Sequence, residues 1–270
     1  MVAVGGDRGD DVEQLRATAV AVVQQVGDLV TRMRVAGLGP VQTKTSATDV
    51  VTAADTAAER LARRLLAQWR PGEPVLGEEE GGTSPPAADL CWVVDPIDGT
   101  VNYLYGLPWY AVSVAVQRDG RSLAAAVGQP ADGRVWSAAR GCGADCNGVT
   151  LRVSATTQLE LSLIGTGFSY LSRRRARQAA MVAGMLPRIR DVRRAGAAAL
   201  DLCSVASGWL DGFVEHGLRR WDWAAGALIA AEAGAVVRLP TRESDVLLAA
   251  TPGIAAALTE LVIQYGADAM

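Results

Sequence analysis

Cys91-Trp92-Val93-Val94-Asp95-Pro96-Ile97-Asp98-Gly99-Thr100 is an apolar run that ends in two aspartates, a proline and a glycine. Such a run reads as a buried strand that delivers both aspartates to its C-terminal end. Pro96 fixes φ at about −65° and Gly99 admits a tight turn, so the backbone bends there around a point. Glu78 stands 17 positions before Asp95, in Gly77-Glu78-Glu79 at the end of a second short strand, Pro74-Val75-Leu76-Gly77. Both strand ends can meet at one site, where several hard oxygens face one cation. Oxygen-only ligands suit Mg²⁺ or Mn²⁺, whereas zinc would want nitrogen or sulfur, and the chain has a single histidine.

Composition narrows the class. Half of the 270 residues are apolar, enough for an extended core, and the net charge of −3 leaves no footprint for non-specific binding to nucleic acid or an anionic membrane. The cysteines at 91, 142, 146 and 203 lack paired C-x-x-C spacing, so free, mostly buried thiols are expected rather than disulfides or a zinc site. Residues 1–10 are Gly- and Asp-rich and lack an apolar signal core. They read as a flexible N-terminus ahead of one domain over 11–270, in a soluble cytoplasmic protein. Lys44 is the only lysine, because 25 of the 26 basic residues are arginine.

The pattern alternates helix and strand. Residues 11–35 and 54–69 read as amphipathic helices, the second with Asp55 in its first turn, and 41–51 as a hairpin or mobile loop carrying Lys44. Residues 110–117, 123–127 and 134–138 read as an antiparallel meander turning at Asp119-Gly120 and Asp132-Gly133. Strands at 161–165, 189–192 and 212–214 then alternate with helices at 173–186, 197–207 and 221–232, before strands near 236 and 246 and a helix from 254. Helices layered against mixed sheets follow.

Four ordered motifs carry a resemblance: Thr52-Ala53-Ala54-Asp55, Gly77-Glu78-Glu79, Asp95-Pro96-Ile97-Asp98-Gly99-Thr100-Val101-Asn102-Tyr103 and Trp221-Asp222-Trp223-Ala224-Ala225-Gly226. From about Lys44 to Gly234 the chain resembles the inositol monophosphatase family, and within it the bacterial SuhB-type branch. The resemblance implies an α/β five-layered αβαβα sandwich, a homodimer, Mg²⁺-dependent hydrolysis of inositol 1-phosphate, and inhibition by Li⁺. Two or three Mg²⁺ per active site are implied, with Mn²⁺ as a substitute. Carried over residue by residue, Glu78, Asp95, Asp98, Asp222 and the Ile97 carbonyl resemble the metal ligands. Asp55 and Thr100 resemble the pair that activates the attacking water. Glu79 resembles an accessory metal residue and Lys44 a loop residue near the most weakly held metal. Asp98, Gly99, Thr100 and Asp222 are also expected against the substrate. Gly196, Ala197 and Ala198 open a helix whose free N–H groups suit a phosphate, and Glu215 resembles the acceptor of a polyol hydroxyl. The family usually places Ser or Thr where this chain has Ala197, so one hydroxyl contact is missing.

Plainer readings weigh against some of these. An isolated Asp-Gly is an ordinary turn, and Glu78-Glu79-Glu80 alone is a solvated acidic loop; together with Asp55 and Asp222 they read as a site. His216 reads as a packing or surface residue and the Arg173 to Arg177 run as a solvated helix face. Related substrates of the fold are histidinol phosphate, fructose 1,6-bisphosphate, NADP and 3′-phosphoadenosine 5′-phosphate. SuhB-type proteins also act as partners of the transcription machinery, which is the competing reading.

Overall fold

The computed structural model describes residues 11–37, 41–43, 50–82, 89–242 and 245–266. Asp11 caps the first helix by accepting a hydrogen bond from the Glu13 N–H (3.1 Å). That helix, α1 (Val12–Ala36), buries Leu15, Ala19, Val22, Val23, Val26 and Val30 along one stripe. Strands β1 (Val41–Thr43) and β2 (Val50–Thr52) pair antiparallel, the hairpin foreseen, with Lys44 outside the described residues. A capping box between Thr52 and Asp55 opens α2 (Ala53–Trp69).

Strand β3 (Val75–Gly77) lies parallel to β4 (Leu90–Asp98), which leads through the short α3 (Thr100–Tyr105) into the meander. The meander is β5 (Ala111–Arg118), β6 (Arg121–Gln129), β7 (Arg134–Ala139), β8 (Gly143–Cys146) and β9 (Val149–Thr150), and it completes a seven-stranded sheet in the order β3 to β9. Asp119 and Gly120 both take positive φ, 51° and 73°, the geometry a tight hairpin turn demands. Asn147 and Gly148 repeat it at 49° and 82°, so the unforeseen β8–β9 hairpin also had a turn signal in the sequence.

The second half supplies β10 (Leu163–Thr166), α4 (Ser172–Met185), β11 (Asp191–Arg193) and α5 (Ala198–Ala206). It continues with β12 (Gly212–His216), α6 (Arg220–Glu232), β13 (Val236–Arg238), β14 (Val246–Ala250) and α7 (Pro252–Gly266). Its five strands form a mixed sheet in the order β11-β10-β12-β14-β13.

Side-chain alternation assembles the layers. On β4, Trp92 and Val94 join the core under α1 and α2, while Val93 points to the opposite core beneath α5 and α6. On β14, Leu247 and Ala249 face α5 and α6, while Leu248 and Ala250 face α4 and α7. Four apolar cores thus separate five layers: α1 and α2, the large sheet, α5 and α6, the small sheet, α4 and α7. This is the expected αβαβα sandwich. Helix α5 lies between both sheets and buries all nine of its residues, Asp201 and Ser204 among them, which explains its mostly apolar sequence. No helix among the described residues is long and apolar enough to cross a membrane. One expectation is corrected: Cys91 and Cys203 are buried, but Cys146 is partly exposed and Cys142 exposed, because Cys142 sits between Gly141 and Gly143 in the turn before β8.

Candidate active site

A β-bulge builds the floor. Asp95 pairs with Ser113 but Asp98 with Ala111, so β4 carries one more residue than β5 there. In a regular strand residues three apart point to opposite faces; the bulge brings Asp95 and Asp98 to the same face and returns Ile97 to the core under α1 and α2. Pro96 is tolerated because a bulge leaves a backbone position without its ladder bond, and the Ile97 N–H turns onto Asp95 Oδ1 (3.1 Å). Gly99 follows with φ +88°. A Cβ there would lie 3.1 to 3.2 Å from the Trp109 and Gly196 carbonyl oxygens and the Ala197 methyl, so Gly99 serves both the turn and the close approach of α5.

Thr100 and Asp55 meet at the base of that turn. The Thr100 hydroxyl lies 3.0 Å from both Asp55 Oδ1 and the Ile97 carbonyl. Asp55 Oδ2 accepts the N–H and hydroxyl of Thr52, at 2.8 and 2.5 Å. The capping box therefore fixes the aspartate that holds Thr100, and both side chains are buried.

Two helix N-termini close the opposite side. The Ala199 N–H donates to Asp98 Oδ2 (2.7 Å), so the first turn of α5 is capped from β4, since Ala197 at its N-cap has no side chain for the task. Gly196 takes φ +92°, and Asn102 pins this loop by donating its amide to the Trp109 and Ala195 carbonyls, at 2.7 and 2.9 Å. In the first turn of α6, Asp222 accepts the Arg219 N–H (2.6 Å). Glu78, Asp98, Gly99, Gly196, Ala197, Ala198, Glu215 and Asp222 all line one cleft of about 480 Å³. Asp95 is buried beside it, within hydrogen-bond reach of Glu78.

The electrostatics are those of crowded acids. Burial raises Asp95 well above the usual carboxylate range, and Glu78, Asp98 and Asp222 raise it further. Burial lifts Asp98 to about 7, against the backbone N–H groups of Ala199 and Ala198, with Glu78 adding to the rise. Asp222 rises well above its ordinary value through burial, Glu78 and Asp98. Like charges held this close favour protons or a multivalent cation, and an all-oxygen donor set fits a hard divalent ion. Among the described residues, no three His, Cys, Asp or Glu side chains form a ready-made metal cluster. Asp98 is turned onto α5 and Asp222 onto its own helix start.

Glu215 packs so closely on Gly167 that a Cβ on that glycine would overlap its carboxylate. Burial lifts Glu215 to about 8, while Arg194 pulls it down. Arg194 and Arg174 also line the cleft; sequence reasoning passed over both, because arginine is common throughout this chain. It also passed over Glu59, a wholly buried acid four residues after Asp55 that no local signal marked. Glu79 is partly buried and donates its N–H to Glu59 Oε2 (2.6 Å). His216 is buried, with its ring near Gly266 of α7, and it also lines the cleft.

A model of the inositol monophosphatase family matches residues 11–269. The chain is 53% identical to an inositol-1-monophosphatase of Mycobacterium leprae, over 92% of this chain and 93% of that protein. It is 37% identical to Nus factor SuhB of Escherichia coli, over 81% and 82% of the two chains. In three dimensions it is similar to Mycobacterium tuberculosis SuhB, with a TM-score of 0.84 and 44% identity over 95% of this chain and 98% of that one.

Proposed function

The chain belongs to the inositol monophosphatase family, and from that premise we propose that the cleft hydrolyses inositol monophosphate to inositol and phosphate with metal-activated water. The observation that carries the reading is the gathering of Glu78, Asp95, Asp98 and Asp222, near enough for their charges to oppose one another's ionisation, beside the first turn of α5. Glu78, Asp95, Asp98, Asp222 and the Ile97 carbonyl would hold two or three Mg²⁺ ions, with Mn²⁺ as a substitute. When bound, divalent ions neutralise the phosphate, acidify the attacking water and stabilise the leaving alkoxide.

The chain's own residues do the rest. Asp55 Oδ1 holds the Thr100 hydroxyl proton, which leaves the Thr100 oxygen free to accept a proton from water. The N–H groups at the start of α5 and the dipole behind them receive the phosphate, and Glu215 orients the inositol through a hydroxyl. Glu79 and Lys44 support the metal side of the site in this reading. The same family reading supports a homodimer, which a light-scattering mass near the 28.2 kDa of one chain would exclude.

The test is phosphate release from inositol 1-phosphate, histidinol phosphate, fructose 1,6-bisphosphate and NADP, with Mg²⁺ and with EDTA. Mg²⁺-dependent turnover led by inositol 1-phosphate and lost in Asp98→Asn is expected. No turnover of any ester by folded, Mg²⁺-supplied protein would overturn the reading. The name of the E. coli relative, Nus factor SuhB, motivates a second role as a binding partner, one that should survive Asp98→Asn.

A further inference from the structure

Asp55, Glu59 and Arg63 stand four residues apart on α2 and share one stripe. Asp55 serves the Thr100 pair, but Glu59 touches no part of the cleft. It is nonetheless wholly buried, and its carboxylate is saturated with donors. Oε2 accepts the Glu79 N–H at 2.6 Å, Oε1 the Glu80 N–H at 3.0 Å, and Oε1 the Arg63 Nε and Nη2 at 2.9 and 2.7 Å. Arg63 reaches on to the carbonyls of Val75 (3.1 Å) and Gly81 (2.5 Å). The Gly77 N–H closes the turn onto Gly81 O at 2.9 Å. Gly77 is bare for a reason, because a Cβ there would overlap the Glu59 carboxylate. Every backbone neighbour of Glu78 is thereby tied to one ion pair, between the buried Glu59 and the half-buried Arg63.

A purely stabilising role explains this poorly. Buried ion pairs are weak stabilisers, and apolar side chains of similar volume often replace them at no cost. A rigid anchor for a functional side chain explains it directly.

We propose that Glu59, with Arg63 and the bare Gly77, is a positioning residue that fixes the backbone on both sides of Glu78 and so presents the Glu78 carboxylate to the divalent cation of the cleft. The inference rests on reading that cleft as a metal site. Glu59→Gln places an NH₂ group among N–H donors, and Gly77→Ala presses on the same carboxylate from the other side.

Calorimetric titration of the folded proteins with Mg²⁺ alone tests it. Both variants are expected to bind Mg²⁺ about 10- to 100-fold more weakly than wild type, with kcat at saturating Mg²⁺ changed much less. Glu59→Gln should add nothing further to the loss caused by Glu78→Gln, because the first acts through the second. If Glu59→Gln does not fold, the Gly77→Ala affinity decides. Wild-type Mg²⁺ affinity in either folded variant overturns the proposal. Asp98→Asn separates the two failures: where it abolishes Mg²⁺ binding while Glu59→Gln leaves it intact, only the role of Glu59 falls. A wild type that takes up no Mg²⁺ sinks both readings together.

Discussion

Thr100→Val removes one hydroxyl and keeps the branched shape, which makes it the sharpest probe of the proposed water activation. In the native site that hydroxyl lies 3.0 Å from Asp55 Oδ1 and 3.0 Å from the Ile97 carbonyl. Withdrawing a donor from a buried carboxylate oxygen costs about 1–3 kcal/mol. At roughly 2–4 °C per kcal/mol for a protein near this size, the melting temperature should fall by about 2–12 °C and leave a folded protein. Turnover should suffer far more, because loss of a positioned proton acceptor costs about 10²–10⁴ in rate. KM should change much less than kcat. The assay is phosphate release from inositol 1-phosphate at saturating Mg²⁺, paired with calorimetric melting, and Thr100→Ser is the control that restores the hydroxyl. A Thr100→Val enzyme within about tenfold of wild-type kcat would refute the relay. Equal losses in the serine and valine variants would show that packing, rather than the hydroxyl, matters.

In EDTA the protein should be most stable in acid. Asp98 near 7 and Glu215 near 8 lie above their ordinary values of 3.8 and 4.5. Their contribution is therefore full below about pH 4 and lost as pH rises through both folded values. Melting temperatures across pH 5 to 9 check this, and a flat or rising profile without metal would contradict it. Asp98→Asn should abolish Mg²⁺-dependent turnover yet melt higher than wild type in EDTA above pH 8, because the side-chain oxygen can still accept the Ala199 N–H while one crowded charge is gone; differential scanning calorimetry reads the sign. Glu215→Gln should raise KM for inositol 1-phosphate by up to about tenfold, the value of one hydrogen bond, with a smaller change in kcat. Gly99→Ala places a side chain at φ +88° and within 3.2 Å of three atoms. About 1–3 kcal/mol of strain should appear as a lower melting temperature together with reduced turnover.

Much of the site was legible because its chemistry sits in contiguous motifs. Asp95 to Thr100 lie in one run, Asp55 follows its own N-cap Thr52, and Glu78 ends a strand. Local rules of turn, cap and strand end apply to each without knowledge of the rest of the fold. Helices layered against mixed sheets followed from the alternation of elements, while the five-layered order came from the family resemblance. Glu59 was not legible, since a glutamate on an amphipathic helix ordinarily faces water; only the turn of residues 77–81 folded over α2 buries it.

By itself the sequence determined the elements, the acidic oxygen-rich chemistry and the family, because these depend on residue type and near-neighbour spacing. The tertiary structure alone decided that a bulge brings Asp95 and Asp98 to one face, that Asp98 reaches across 101 positions to cap α5, and that Glu215, Arg194 and Arg174 meet in one cleft. Those relations depend on sheet register and on how layers stack. Register and stacking are set by the packing of four cores, and no local stretch of the chain encodes them.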